Sequence, residues 1–285
     1  MTIPTLQDFL QQPKENIRQL APKTVILCIG GTRRSAALEG IEPHSTEFVH
    51  WSQPQLINLM NLLFEYGVEN IISIAVISTN MSEFSAYKKR FLAMVDYGLA
   101  NEQMLEYYNE HQWRVRLVGT DDFPELHQTS ELLKQQTNPS SKQTLWWITS
   151  PFNKTPWEAV FETARKYQCS TRQEAIRAIY GEDIPLATMM IATGKPILMY
   201  DLVPPLLVGK LQCYWSQRPG YRMNETMLRT ILYDYAFIRD TGAASLEDKY
   251  TEIEKYSHYW NNDYIIGEGE KLGSFWYPKP FNHPE

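Results

Sequence analysis

Six short apolar runs, separated by stretches of helical periodicity, limit the fold of this chain more than any other feature of it. The runs are Thr24–Ile29, Ile71–Ile77, Trp113–Val118, Thr144–Thr149, Met189–Thr193 and Leu211–Trp215. Thr24–Ile29 is continuously apolar and Ile71–Ile77 nearly so, as strands buried on both faces of a parallel sheet are. Between the first two, Pro54–Tyr66 places Leu56, Leu59, Met60 and Leu63 at i, i+3, i+4 and i+7, which predicts an amphipathic helix stopped near Gly67. Helices are also predicted over Tyr87–Leu99, Glu102–Glu110, Pro124–Gln136, Trp157–Tyr167 and Asn224–Arg239. Thr171 and Glu174 form a capping-box pattern that opens a further helix ending near Tyr180-Gly181, and Ser245–Asp248 caps a final one. Strand and helix alternation of this kind predicts an α/β fold, a mostly parallel central sheet flanked by helices. The polar segment Gln136–Gln143 is a loop and not a linker, because the alternation resumes beyond it. Residues 1–285 are therefore expected to form a single domain, with an N-terminal arm over about 1–20 and a C-terminal helix and tail over about 240–285.

The formal charge of −6 argues against general nucleic-acid binding, which relies on Lys and Arg neutralising phosphates. One local basic pocket still suffices for a small polyanion. Cys28, Cys169 and Cys213 are far apart, and no His or Cys pair has metal-ligand spacing, so no metal-ligating residue is assigned. The first twenty residues lack the profile of a signal peptide, and no run reaches the length of a membrane span. A cytoplasmic protein without a transmembrane segment is expected.

Parallel sheets bind ligands outside the carboxyl ends of their strands. That rule selects Gly30–Ser35, Ser78–Asn80, Gly119–Asp122 and Ser150–Asn153. The most informative is Gly30-Gly31-Thr32-Arg33-Arg34-Ser35. Its glycines let backbone approach a ligand closely, a helix starting there would turn its positive end toward an anion, and paired guanidinium groups match phosphate oxygens. Read alone, the pattern fits a common turn with a solvated arginine pair better than it fits an anion site.

The segment Gly30–Ser35 resembles the signature that follows the first strand in the cis-prenyltransferase fold family, and more closely its form in the tuberculosinol-synthase branch. The resemblance continues, in order, through Leu63–Glu69, Ile71–Asn80 with Ser78, Tyr107–Gly119, Thr171–Glu182, Pro205-Leu206-Leu207 with Gly209-Lys210, and Met223–Arg239. It spans about residues 5–275. It implies a fold with an apolar tunnel whose mouth binds an isoprenoid diphosphate, Mg²⁺ on that diphosphate, and a homodimer. The implied function is that of a terpene synthase or prenyltransferase of the diterpene type. It ionises an allylic diphosphate and quenches the cation by water, proton loss or a small acceptor. The implied catalytic positions are Gly30 (where the family has Asp), Arg33 and Arg34. Implied substrate contacts are Gly31, Thr32, Arg33, Arg34, Ser78, Asn80, Phe152, Asn153, Lys195 and Lys210.

An ionising allylic diphosphate needs fixed positive charge at the leaving group and a dry pocket with aromatic faces. Trp146, Trp147, Phe152, Tyr200, Tyr214, Trp215 and Tyr221 fall in or near strand ends and are candidate walls. The departures from the family pattern carry their own consequences. Gly30 cannot hold Mg²⁺, Ser35 stands where the branch has Trp, and no Tyr occurs near Glu47 or Phe48. The Arg-rich motif that serves chain elongation is absent from Gly194–Trp215, which argues against elongation. Asp121-Asp122 or Glu39 could stand in for the missing carboxylate, although the Asp pair is explained by a helix start alone. Glu225 and Arg229, at i, i+4 spacing, are a structural pair or a dimer contact. The competing reading is a catalytically inactive partner or binding subunit that has lost its Asp; retention of both arginines favours the enzyme.

Overall fold

The computed structural model describes residues 3–43, 45–77, 85–151, 154–199 and 201–239, and in the C-terminal part residues 250, 253, 255–260, 263 and 265–279. Ser78, Asn80, Phe152, Asn153, Tyr200 and the Ser245–Asp248 cap lie outside the described residues.

All six predicted strands form, as β1 Thr24–Cys28, β2 Asn70–Val76, β3 Arg114–Val118, β4 Thr144–Thr149, β5 Ala187–Thr193 and β6 Val208–Ser216. They make one sheet in the order β3-β4-β2-β1-β5-β6, and every pairing is parallel. Their carboxyl ends therefore lie along one edge, with β1 central between β2 and β5. Alternation divides each strand between two helical layers. Val25 and Leu27 of β1 enter one core, whereas Ile26 and Cys28 enter the other. On β4 the same pleat sends the adjacent tryptophans apart, Trp147 to the first core and Trp146 to the second, where its Nε1 donates to Asn70.

The first layer holds α1 Leu6–Leu10, α2 Lys14–Arg18, α4 Thr46–Glu65, α5 Ser85–Ala100, α6 Glu102–Glu110, α7 His127–Gln136 and α10 Glu225–Tyr233. The second holds α8 Pro156–Tyr167 and α9 Arg172–Tyr180, the latter opened by the expected Thr171–Glu174 capping box. Between β1 and α4 runs the short α3, Thr32–Leu38.

Several elements differ from expectation. Helix α4 does not start at Pro54; it starts eight residues earlier, capped by Ser45, and carries Pro54 inside. The proline costs about 3 kcal/mol in a helix interior. The added turns bury Phe48, worth about 1.5–3 kcal/mol, half-bury Trp51 and gain the Ser45 cap, worth about 1 kcal/mol, which together offset the proline. The Asn224–Arg239 helix is α-helical only to Tyr233 and continues as a π turn over Asp234–Ile238. Residues 3–20 contain α1 and α2, with Phe9 and Ile17 fully buried and Phe9 set against Tyr233 and Phe237 at 5.4 and 5.8 Å. Near the C-terminus an antiparallel hairpin, β7 Gly269–Leu272 with β8 Phe275–Pro278, was not foreseen. No helix among the described residues is long and apolar enough to cross a membrane.

Candidate active site

The turn after β1 is held from three directions. Thr193, last residue of the neighbouring β5, accepts from Gly30 N–H and donates to Gly30 C=O, both at 2.6 Å. Gly220 N–H donates to the same carbonyl at 2.7 Å. A Cβ at position 30 would lie 3.1 Å from the Thr193 carbonyl oxygen, so glycine fits where any side chain would press on backbone. Gly31 follows in the left-handed region at φ 73°, which favours glycine. Ser35, one turn on, is buried and donates to Pro219 O at 2.6 Å, so the small residue at the family's tryptophan position ties α3 to the turn after β6.

This packing seats Arg34. Its Nη2 lies where a side chain on Gly31 would be, 2.7 Å from the ideal Cβ position, and 3.6 Å from the corresponding position on Gly194, whose φ is 92°. Its guanidinium also faces the ring of Phe275 at 5.7 Å. Gly31 thus leaves the slot that the guanidinium occupies, and Gly194, a glycine by its left-handed backbone, meets the guanidinium at ordinary contact distance from the neighbouring turn.

Arg34 opens onto a cavity of about 700 Å³ at the carboxyl edge of the sheet, lined by Gly30, Gly31, Thr32, Arg33, Arg34 and Lys195, with Ile74, Phe91, Met190, Leu202 and Trp215 completing its walls. A second cavity of about 220 Å³ adjoins it and lies between α4, α5 and β2. Ile29, Thr32, Phe48, Ile74, Ala75 and Met94 line both. The second is chiefly apolar, with Leu56, Val95, Leu99, Trp147 and Tyr221, and a few polar groups from Ser52, Gln53 and Ser73. Burial pushes the Tyr221 phenol up to about 12, so it stays neutral. Burial, with the neighbouring Cys213, likewise pushes the Cys28 thiol up to about 12, which removes it as a nucleophile.

Gly30, Gly31, Thr32, Arg33, Arg34 and Lys195 all line the larger cavity. The structure separates Lys210 from them. Lys210 is exposed near the amino end of β6, about 20 Å along the strand from Ser216 at the cavity edge, because parallel pairing puts the two ends of a strand on opposite edges. The positive end of α3 carries less than anticipated, since the helix has only 7 residues; the cationic side chains supply the charge. Of the candidate aromatic walls, Trp147 and Tyr221 line the apolar cavity and Trp215 the larger one. Trp146 faces the other layer, and Tyr214 donates to Asp234 at 2.8 Å.

Neither substitute for the missing Asp reaches the site. Asp121 and Asp122 line a separate cavity of about 270 Å³ beside Lys154, and Glu39 pairs with Arg222. No carboxylate among the described residues lines the Arg34 cavity, and no cluster of three metal-ligating side chains occurs among them. These residues do not fit a protein-held Mg²⁺. Glu225 and Arg229 form an intramolecular clamp: Arg229 donates to Glu225 at 3.0 Å and to Leu10 O and Gln12 O at 3.1 and 2.7 Å. Sequence reasoning missed Phe48, Met94, Thr193 and Gln53, which come from helices and strand ends whose facing no local pattern reveals.

The six parallel strands and their flanking helices form one α/β fold, with a cationic cavity after the first strand and an apolar one beside it. Two solved structures share the fold, at TM-scores of 0.55 and 0.57. Lavandulyl diphosphate synthase from Lavandula x intermedia, in complex with dimethylallyl diphosphate, is 12% identical over 77% of this chain and 97% of that one. A probable undecaprenyl diphosphate synthase from Campylobacter jejuni is 11% identical over 75% and 95%. No profile of a known protein family matches the chain. Individual relatives do. (+)-Kolavelool synthase from Herpetosiphon aurantiacus is 40% identical over 97% of this chain and 96% of its own length. Tuberculosinyl adenosine transferase from Mycobacterium tuberculosis is 28% identical over 84% and 85%. The chain belongs to the cis-prenyltransferase-fold family of kolavelool synthase and tuberculosinyl adenosine transferase.

Proposed function

We propose that this protein is an enzyme that binds an allylic isoprenoid diphosphate, ionises it and quenches the resulting cation. The observation that carries this reading is the junction of the two cavities at Thr32 and Phe48: one wall bears Arg33, Arg34 and Lys195, and the other is lined by Phe48, Leu56, Trp147 and Tyr221. A molecule with an anionic head and a hydrocarbon tail satisfies both at once. Breaking the carbon–oxygen bond leaves negative charge on diphosphate, and a guanidinium already seated between Gly31 and Gly194 meets that charge with little reorganisation. The cation is left beside the π faces of Phe48, Trp147 and Tyr221 in a pocket with few nucleophiles. The apolar cavity is the start of the expected tunnel in this reading, and Lys195 closes the head group from the side of β5. The relatives' names, a kolavelool synthase and a tuberculosinyl transferase, agree with a diterpenoid substrate. Homodimerisation belongs to the same proposal and is checked by sedimentation.

The deciding experiment incubates the protein with geranyl, farnesyl, geranylgeranyl and a cyclised diterpenyl diphosphate, with and without Mg²⁺, and follows diphosphate release. Release from at least one supports the enzyme. Binding without release identifies an inactive binding subunit, and no binding removes the reading altogether.

A further inference from the structure

The hairpin β7–β8 contributes no residue to either core, yet it rests on the two turns that carry the cations of the larger cavity. Gly267, just before β7, would place a Cβ 3.5 Å from Pro196 Cγ, and Pro196 follows Lys195. Gly269 admits the Trp276 indole against the hairpin backbone, where a Cβ would come within 2.2 Å of the ring. Trp276 is half-buried there, and the pleat turns its neighbours Phe275 and Tyr277 to the opposite face of β8. Phe275 is the residue whose ring faces the Arg34 guanidinium at 5.7 Å. It is 56% exposed, so filling the interior does not account for a large apolar side chain at this position.

Arg34 is held differently from other arginines of the chain. Arg222, Arg229 and Arg239 each face a carboxylate, on Glu39, Glu225 and Asp234. Among the described residues Arg34 has no such pair, and an aromatic ring takes that place. The difference is chemical. A carboxylate occupies guanidinium N–H groups and neutralises their charge. A ring face attracts the cation through its quadrupole and accepts no strong hydrogen bond, so charge and donors stay available to an anion. We propose that Phe275 is a positioning residue for diphosphate binding, holding the Arg34 guanidinium at the cavity mouth without competing for its N–H groups. The proposal rests on the reading of that mouth as the site of a prenyl diphosphate head group. Gly31 makes the room that the guanidinium occupies, and Phe275 keeps it there. Phe275 itself does not line the cavity, so it acts on the anion only through Arg34.

The test is calorimetric titration of the full-length protein with inorganic diphosphate in buffer free of Mg²⁺. Phe275→Ala is expected to raise Kd roughly 2- to 5-fold, the range of an exposed cation–π pair. Phe275→Trp, which keeps a π face, is expected to hold wild-type affinity, whereas Phe275→Leu, which keeps apolar bulk alone, should behave like Phe275→Ala. In an Arg34→Ala background the Phe275→Ala change should have no further effect, because the two residues act as one pair. An unchanged Kd in Phe275→Ala, full affinity in Phe275→Leu, or an equal loss with and without Arg34 overturns the proposal and leaves the enzyme reading standing. Wild-type protein that binds neither inorganic nor prenyl diphosphate removes the enzyme reading and this proposal together.

Discussion

At Gly31 a side chain would come within 2.7 Å of Arg34 Nη2, on a backbone already at φ 73°. At Gly30 the obstacle is Thr193, whose carbonyl oxygen would lie 3.1 Å from a new Cβ. The two glycines therefore do different things, one freeing space for a guanidinium and the other letting β1 and β5 close. Gly30→Ala is expected to destabilise the protein by about 1–2 kcal/mol, within the range for overpacking, as measured by urea unfolding. Arg34→Ala is expected to weaken binding of a prenyl diphosphate by about 1.5–3 kcal/mol, the range for hydrogen bonds to charged groups, as measured by calorimetry. At this scale the sequence was most informative where the site is contiguous. Gly30 to Arg34 follow one another after a strand, so their chemistry and their place in the fold could be read together. Gly194 and Thr193 could not be read that way, because they matter only through a partner 163 positions earlier. Gln53 was not legible, because a proline reads as a helix start and places the residue before it outside the helix, whereas α4 runs through both.

Among the elements, the N-terminal helices and α10 act as one unit. Tyr66 donates to Glu225, and its ring lies 5.3 Å from both Lys14 Nζ and the Arg229 guanidinium. Arg229 in turn holds the carbonyls of Leu10 and Gln12. Arg229→Ala is expected to cost about 2 kcal/mol and to raise hydrogen exchange in α1 and α2, since two backbone acceptors lose a charged donor. The hydrogen bond from Tyr66, then that from Arg229, holds the Glu225 carboxyl below its usual range of about 4.5. The group's folded pKa is depressed, so its stabilisation is present above about 4.5 and is lost as pH falls further. Exchange in α1 and α2 should rise first on acidification, and the Glu225→Gln variant should lack that acid-dependent step. On the far side of the sheet, Glu182 serves two cations, with Arg116 Nε at 2.8 Å and Arg114 beside it, and burial lowers Arg116 to about 10. Glu182→Ala is expected to cost about 3 kcal/mol, because a nearly buried guanidinium is left unpaired. Strands and capped helices were legible at this scale, since periodicity and capping are local. The earlier start of α4 was not, because it depends on a buried face outweighing a proline.

Taken as a whole, the molecule carries a formal charge of −6 yet gathers Arg33, Arg34 and Lys195 at one mouth. Binding there should be salt-sensitive, weakening severalfold as ionic strength rises from about 0.05 to about 0.5 M, because the mouth is open to screening ions. Fold class could be read from alternation alone, and the family from ordered motifs. The two adjoining cavities could not, because their walls depend on which way each helix faces. The seat of Arg34 has a further implication for biosynthesis. Its parts arrive with Gly31, with Gly194 and with Pro219-Gly220, the last two after two thirds of the chain has been made. A nascent polypeptide that stops short of these turns carries the arginines but has nothing to grip with, so a ribosome-bound fragment ending before β5 should ignore diphosphates that the finished protein retains.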